Sequence, residues 1–145
     1  MTNGHQHIVR RALQVQQSRS IPIYLFALTA DELDRIAEIS RVSRDEDGEL
    51  IGYQRPEVRQ HVANIVDYLD SEDPIFPNAI ILALTSRCRF TKSRGPNVDD
   101  GVVVAGSLEI PIPADNDPKP AWIVDGQQRT LALQKARNRS FPVPV

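Results

Sequence analysis

Eleven prolines are spread over 145 residues, and they limit the length of any helix or strand that this chain can form. Each proline fixes its backbone angle φ and lacks an N–H donor, so it is poorly tolerated inside a helix or a central strand. We therefore expect short elements separated by turns. The length still allows a sizeable core within a single domain.

The charge balance restricts the kind of partner. The chain has 17 lysines and arginines against 19 aspartates and glutamates, a formal net charge of −2. This balance argues against a protein that holds nucleic acid by charge alone, but it leaves room for a local basic face. Because Cys88 is the only cysteine, the chain has neither an intrachain disulfide nor a cysteine-based zinc cluster.

The N-terminal residues are polar, and no apolar run in the sequence approaches the roughly 20 residues that cross a bilayer. We therefore expect a cytoplasmic protein with no membrane partner. Residues 1–11 are expected to be a flexible leader, followed by one domain over residues 12–145. His5 and His7 are expected to belong to this leader rather than to a metal site.

Apolar and β-branched stretches predict short strands. They cover residues 12–16, 21–28, 79–84, 102–110, 122–124 and 141–145. The stretch 79–84 is continuously apolar, which is typical of a central strand covered on both faces. Residues 102–110 fit either two strands or one bulged strand. Residues 41–52 are polar and predict a loop or a hairpin tip.

Three segments predict helices. Thr29 and Glu32 have capping-box spacing and precede apolar residues at helical intervals, so we expect a helix over residues 30–40. A second helix is predicted from Pro56 to Leu69, because proline suits the first turn of a helix. A third is expected over residues 130–137. Together these elements predict an α+β fold in which helices flank a mixed sheet.

The sequence Asp125-Gly126-Gln127-Gln128-Arg129 contains the most informative pattern of polar residues. A strand ends at the aspartate, the glycine permits a sharp turn, and a helix follows at once. The start of a helix exposes N–H groups that suit anions, and an arginine there can grip phosphate. The aspartate is suited to holding Mg²⁺ or accepting a proton. Alternatively, Asp125 only caps the helix and Arg129 pairs with it.

A second glutamine-arginine pair, Gln54-Arg55, lies at the start of the second predicted helix. Two arginines at two positive helix ends repel each other if they are close, and a bound phosphate or carboxylate relieves this repulsion. If the two pairs are far apart, each arginine is an ordinary surface residue. The distance between Arg55 and Arg129 therefore separates a shared site from two unrelated turns.

A run of basic residues without an intervening acid is a candidate for contact with a nucleic-acid backbone. It comprises Arg87, Arg89, Lys92 and Arg94. A solvated loop is the alternative interpretation. Other arginines are available to extend such a patch, namely Arg10, Arg11, Arg137 and Arg139. Cys88 lies within the run, where neighbouring arginines lower the pKa of an exposed thiol, but we expect it to be structural.

The motif at residues 125–129 resembles the Asp-Gly-Gln-His-Arg signature of the DGQHR-domain family. That family includes DndB-type proteins of DNA phosphorothioation and DpdB-type proteins of 7-deazaguanine DNA modification. The upstream sequence at residues 52–55 and the strand after residue 77 also fit, so the resemblance covers about residues 21–145. It implies a ParB/sulfiredoxin-like fold, in which the turn before a helix binds nucleotide phosphates. Gln128 stands where the signature has histidine, which favours the 7-deazaguanine branch and argues against an imidazole proton shuttle.

The resemblance also implies roles for individual residues. The five residues of the motif would form a phosphate-facing loop, and Gln54 and Arg55 would face the same cleft. If the protein is an NTPase, Asp125, Gln128 and Arg129 would be catalytic, with Asp125 also holding Mg²⁺. The nucleotide would contact Gly126, Gln127, Thr130, Gln54 and Arg55. The turn lacks the reactive cysteine of sulfiredoxins, so sulfinic-acid reduction is not expected. Because relatives are longer and a strand is starting at the last residues, we expect the chain to be incomplete at its C-terminus.

Three functions follow as hypotheses. The first is a Mg²⁺-dependent NTPase, with ATP as the expected nucleotide, that serves a bacterial DNA-modification system. The second is a DNA-binding transcriptional regulator of such a gene cluster. The third is a purely structural domain. The expected partners are DNA or other proteins of the same system, and the sequence gives no oligomeric state.

Overall fold

A computed structural model describes residues 6–39, 55–96 and 98–145 of the chain. Within these ranges the secondary structure comprises nine strands and three helices. In chain order they are β1 (His7–Val15), β2 (Ile23–Leu25), β3 (Ala27–Thr29), α1 (Ala30–Ile36), β4 (Ala37–Glu38), α2 (Pro56–Leu69), β5 (Ile81–Leu84), β6 (Arg89–Lys92), β7 (Val103–Pro111), β8 (Ala121–Asp125), α3 (Gln127–Lys135) and β9 (Pro142–Pro144). The predicted α+β class is confirmed.

The described strands form three sheets. Four antiparallel strands lie in the order β2-β1-β7-β6, and β3 pairs with β9. The third sheet has the order β4-β8-β5, with β4 parallel and β5 antiparallel to β8. This mixed sheet places the end of β8, and therefore the start of α3, beside the beginning of β5.

One face of the four-stranded sheet belongs to the core. Ile8, Leu108 and Ile110 on this face are almost fully buried. Gly106 lies on the same face, because side chains alternate along β7. A Cβ atom at this position would clash with the ring of Phe90. Because Gly106 has no side chain, the Phe90 ring of β6 can pack closely against the backbone of β7.

The start of α1 is as the sequence predicts, but its end is not. The Oγ1 of Thr29 accepts a hydrogen bond from the N–H of Glu32 (3.1 Å), and Glu32 Oε1 accepts one from the N–H of Thr29 (2.9 Å), so the capping box is confirmed. The helix ends at Ile36 instead of residue 40. The next two residues, Ala37–Glu38, pair with β8 instead, and this long-range pairing ends the helix.

The other two helices pack against each other. α2 begins and ends at the predicted residues, Pro56 and Leu69. α3 begins at Gln127, three residues before its predicted start. The backbone N–H of Arg137 donates to Asp70 Oδ1 at 2.8 Å, so the C-terminal ends of α2 and α3 lie side by side.

Pairing over long distances in sequence corrects two expectations about strands. The prediction of a flexible leader is wrong at residues 7–11, which belong to β1 and pair with β7. Residues 1–5 and the predicted loop at 41–52 lie outside the described residues. The central strand predicted over 79–84 is also wrong, because β5 lies at the edge of the sheet formed by the described strands and Ile81 is 52% exposed. The apolar composition of residues 79–84 does not distinguish a central strand from an edge strand.

The remaining strand predictions agree more closely. Residues 102–110 form one strand, β7. The stretch 21–28 is divided into β2 and β3, because Phe26 between them exchanges backbone hydrogen bonds with Val145. β9 pairs with β3, and Val143 in its centre is fully buried. No helix in the described ranges is long and apolar enough to cross a membrane.

Candidate functional site

A β-bulge precedes the Asp-Gly-Gln-Gln-Arg motif and sets the direction of its aspartate. Asp125 pairs with Ile81 and Ile123 pairs with Leu82, so Val124 is an extra residue on β8. Without the bulge, Asp125 would point to the same buried side as Ile123. With it, Val124 is exposed and the Asp125 side chain is 67% exposed. Bulges of this kind are common next to active sites, because they redirect a side chain.

Gly126 makes the turn into α3 and is its N-cap residue. Its φ of +93° lies in the left-handed region, and a Cβ atom there would lie 2.6 Å from Cδ1 of the buried Ile80. No side chain caps the helix, so the proposed cap by Asp125 is wrong. The first N–H groups of a helix lack partners within the helix itself, which leaves the first turn of α3 suited to an anion.

Arg129 is directed at backbone carbonyl oxygens. Its Nη1 donates to the carbonyl of Asn78, and its Nη2 lies 3.4 Å from the carbonyl oxygen of Ala79. The guanidinium carbon lies 5.5 Å from the centre of the Phe76 ring, and Nη2 lies 3.9 Å from Asp125 Oδ2. The predicted pairing with Asp125 is therefore present as a long contact. Most of the guanidinium's interactions join α3 to the segment before β5.

Two of the predicted nucleotide contacts also hold the turn together. Gln127 Nε2 donates to the carbonyl of Val124 at 3.0 Å. The hydroxyl of Thr130, which is buried, donates to the carbonyl of Gly126 at 2.9 Å. Gln128 is half-buried, and its side chain makes no hydrogen bond within the described ranges. Asp125 and Gln128 are therefore the polar side chains of this motif that remain available to a ligand.

The structure describes one residue of the upstream glutamine-arginine pair. Gln54 lies outside the described residues. Arg55 is the exposed N-cap of α2, where its carbonyl accepts the N–H of Val58 at 3.1 Å. Within the described ranges, no hydrogen bond or ion pair joins Arg55 to the motif. Its membership of a shared site with Arg129 remains a prediction.

The basic run is partly occupied by contacts within the protein. Arg87 Nη2 donates to the carbonyl of Pro118 at 2.7 Å, and Arg89 Nη2 lies 3.5 Å from Glu109 Oε2. Lys92 and Arg94 are exposed. Of the four residues in the run, these two have the side chains most available for the predicted contact with nucleic acid.

Most arginines expected to extend this run are paired with acids. Arg10 binds Glu32, Arg137 lies 3.8 Å from Asp70, and Arg139 lies 3.3 Å from Asp34. Arg11 is exposed and makes no ion pair within the described part of the chain. Extension of the basic patch by these arginines remains a prediction.

Neither the cysteine nor a cluster of metal ligands adds chemistry to the site. Burial raises the pKa of the Cys88 thiol, and the nearby Arg87 only partly offsets this effect. The thiol is therefore not activated. The described residues contain no group of three or more His, Cys, Asp or Glu side chains placed to hold a metal. A Mg²⁺ ion at Asp125 would need ligand oxygens from a phosphate group or water.

Sequence reasoning missed the residues that receive Arg129. Phe76, Asn78 and Ala79 lie about 50 positions before the arginine in the chain. Two of the contacts use backbone carbonyls, which any residue type supplies, so no side-chain pattern signals them. The bulge at Val124 likewise depends on the pairing between β5 and β8.

The comparison with protein families identifies the class to which this fold and motif belong. A family described as DNA-sulfur modification-associated matches residues 11–141. This is the DndB family, and the chain belongs to it. No match was found among curated proteins or among solved structures. The family connects the chain with sulfur modification of DNA, while the preference for the 7-deazaguanine branch remains a prediction.

Proposed function

We propose that this chain is the nucleotide-binding component of a DNA sulfur-modification system. A nucleoside triphosphate, with ATP as the first candidate, binds with Mg²⁺ at the turn between β8 and α3. The observation that carries this proposal is the β-bulge, which directs Asp125 to solvent beside an uncapped helix start. Membership of the DNA-sulfur modification-associated family supplies the biological context.

The turn combines positive potential with a single exposed acid. The N–H groups at the start of α3 and the helix dipole attract phosphate oxygens. Asp125 alone would repel them, so the Asp125 carboxylate would hold Mg²⁺ when nucleotide binds, and the positive charge of the ion would offset this repulsion. Gly126 brings the backbone close to the ligand because it has no side chain.

The other polar residues of the motif then divide into two roles. Arg129, Gln127 and Thr130 hold the turn in shape through contacts with the protein. The charge of Arg129 still adds to the positive potential at the helix start. Gln128 has a free amide group with which to orient a water molecule toward the terminal phosphate. Attack by that water would release inorganic phosphate and leave the nucleoside diphosphate.

The test measures binding of ATP, with and without Mg²⁺, by isothermal titration calorimetry on the whole chain. Asp125→Asn is expected to weaken the Mg²⁺-dependent binding of ATP about tenfold or more. Gln128→Ala is expected mainly to lower the rate at which inorganic phosphate is released. Asp115→Asn, which removes an exposed acid in the loop between β7 and β8, is the matched control. Circular dichroism confirms that each variant is folded. The proposal fails if wild-type protein binds no nucleotide or if Asp125→Asn binds as the control does.

A second function is favoured by a different observation. Lys92 and Arg94 are exposed near the edge strand β6, in the run predicted to contact nucleic acid. A DNA-binding regulator of the modification genes would use such side chains on phosphates. Binding to a DNA duplex would then weaken as salt rises. Each of Lys92→Ala and Arg94→Ala would reduce the slope of log affinity against log salt by about one.

A further inference from the structure

The outer face of the four-stranded sheet, opposite the core, is unusually apolar. The strand register places Leu13 beside Leu25 of β2 and beside Ala105 of β7. Ile23 and Val9 lie on the same face, because side chains alternate along a strand. A solvent-facing side of an antiparallel sheet ordinarily carries polar residues. Leu13 is instead 40% exposed and Leu25 52% exposed.

These apolar side chains line a groove rather than a flat surface. The groove has a volume of about 610 Å³, with Leu13, Leu25 and Ala105 among its lining residues. Its edge beyond β6 is fixed by Ser93, whose N–H donates to the carbonyl of Ala105 at 3.0 Å. An exposed apolar patch in a concave surface is typical of an interaction site.

Arg11 gives the groove a positive charge. It lines the groove, it is exposed, and it makes no ion pair within the described residues. Glu109, which lies on this face of β7, is 3.5 Å from both His7 and Arg89 and is already engaged. Among the residues that the structure describes, no acid lines the groove. The groove therefore combines an apolar floor with an unpaired cation.

We propose that this groove binds an extended acidic segment of a partner protein, with a carboxylate on Arg11 and an apolar side chain on Leu13 and Leu25. Arg11 and Leu13 are two residues apart in one strand and point to the same face. Their separation of about 7 Å matches that between alternate side chains of an extended segment. The partner segment thus alternates acidic and apolar residues.

The charges on this face favour such a partner over two other candidates, which are DNA and a second copy of this chain. DNA would place phosphates over leucine side chains, which cannot neutralise them. A second copy of this chain, packed face to face, would place Arg11 against the same face, where Glu109, the acid in the described strands of this face, is already engaged. An acidic segment satisfies the cation and covers the leucines together.

The experiment uses a fluorescein-labelled peptide of sequence Asp-Leu-Asp-Leu-Asp-Leu, with Lys-Leu-Lys-Leu-Lys-Leu as the opposite-charge probe. Fluorescence anisotropy is measured against the whole chain. We expect saturable binding of the acidic peptide only, weakened about tenfold or more by Arg11→Glu and by Leu13→Ser. Arg35→Glu and Ile75→Ser, which change exposed residues on α1 and in the segment after α2, are expected to bind like wild type.

Several outcomes overturn this proposal. They are the absence of saturable peptide binding, equal binding of the two peptides, and unchanged binding by Arg11→Glu. A dimer in sedimentation that Leu13→Ser dissociates would assign the groove to a second copy. Binding of a DNA duplex that Arg11→Glu abolishes, without peptide binding, would assign it to DNA. ATP binding by Arg11→Glu is measured in parallel, so a failure here is distinguishable from a failure of the nucleotide site.

Discussion

The guanidinium of Arg129 donates a hydrogen bond to the backbone carbonyl of Asn78, 51 residues earlier in the chain. Through this contact the arginine of the motif joins the first turn of α3 to the segment that leads into β5. A residue type that the motif suggests for phosphate binding is thus used to hold the turn in place. Its effect on stability is therefore separable from any effect on a ligand.

Replacing Arg129 with methionine is expected to lower the free energy of unfolding by about 2–4 kcal/mol. The carbonyls of Asn78 and Ala79 lose a charged donor, worth about 1.5–3 kcal/mol, and the contact with Phe76 adds about 0.5–1 kcal/mol. Urea denaturation followed by circular dichroism measures the loss. Arg35→Met, at an exposed position of α1, should change stability by less than about 0.5 kcal/mol. Equal losses in both variants would show that the contacts of Arg129 with Phe76, Asn78 and Ala79 do not stabilise the protein.

Gly126→Ala is expected to destabilise the protein by about 2–4 kcal/mol. Part of the cost is the left-handed backbone, about 1–2 kcal/mol for a residue with a Cβ atom. The rest arises because the new methyl group would lie 2.6 Å from Ile80, whose own side chain is fully buried.

Gly101→Ala is the matched control for this substitution. Gly101 also has a positive φ, +70°, but nothing lies within 4 Å of a Cβ atom there. It should therefore show only the backbone cost, about 1–2 kcal/mol. Thermal and urea unfolding of both variants separate the two contributions. A loss at Gly101 as large as that at Gly126 would argue against a steric contribution from Ile80.

Thr130→Val is expected to cost about 1 kcal/mol of stability, because the buried hydroxyl no longer donates to the carbonyl of Gly126. That carbonyl still accepts the backbone N–H of residue 130 at 2.8 Å, which limits the loss. Thr130→Ser keeps the hydroxyl and should retain most of the hydrogen bond. Nucleotide affinity, measured well below the unfolding transition, should be the same in Val, Ser and wild-type proteins if Thr130 only supports the turn.

Glu32→Gln is expected to reveal a pH-dependent contribution of the α1 cap. Burial opposes ionisation of Glu32, but hydrogen bonds from the Thr29 N–H and from Arg10 outweigh it and lower the pKa of this carboxyl below 4.5. A lowered folded-state pKa stabilises the protein above the unfolded-state pKa, and this stabilisation is lost as the pH falls through the folded-state value.

The stability difference between wild type and Glu32→Gln should therefore be about 1 kcal/mol at neutral pH and shrink as the pH falls below about 4.5 and through the lowered folded-state pKa. Urea denaturation at a series of pH values measures it. Glu72→Gln, at an exposed position after α2, should show no such trend. A difference that stays constant from neutral to acidic pH would show that the charge of Glu32 contributes nothing.

Local physical chemistry made several elements predictable from sequence. The start of α1 follows from the capping box of Thr29 and Glu32, and both ends of α2 follow from Pro56 and an apolar stripe. The turn at Gly126 follows from a strand, a glycine and a helix in succession. The motif itself was sufficient to indicate the family that residues 11–141 match. Each of these features depends on residues only a few positions apart.

The sequence by itself determined the α+β class, the starts of α1 and α2, and the motif at residues 125–129. The tertiary structure alone decided that residues 7–11 join a sheet, that β5 lies at an edge, and that Arg129 faces backbone carbonyls. It also decided, through the bulge at Val124, that Asp125 faces solvent. The physical reason is that strand pairing and its register join residues some 40 to 100 positions apart, where no local pattern of side chains records which backbone groups will meet.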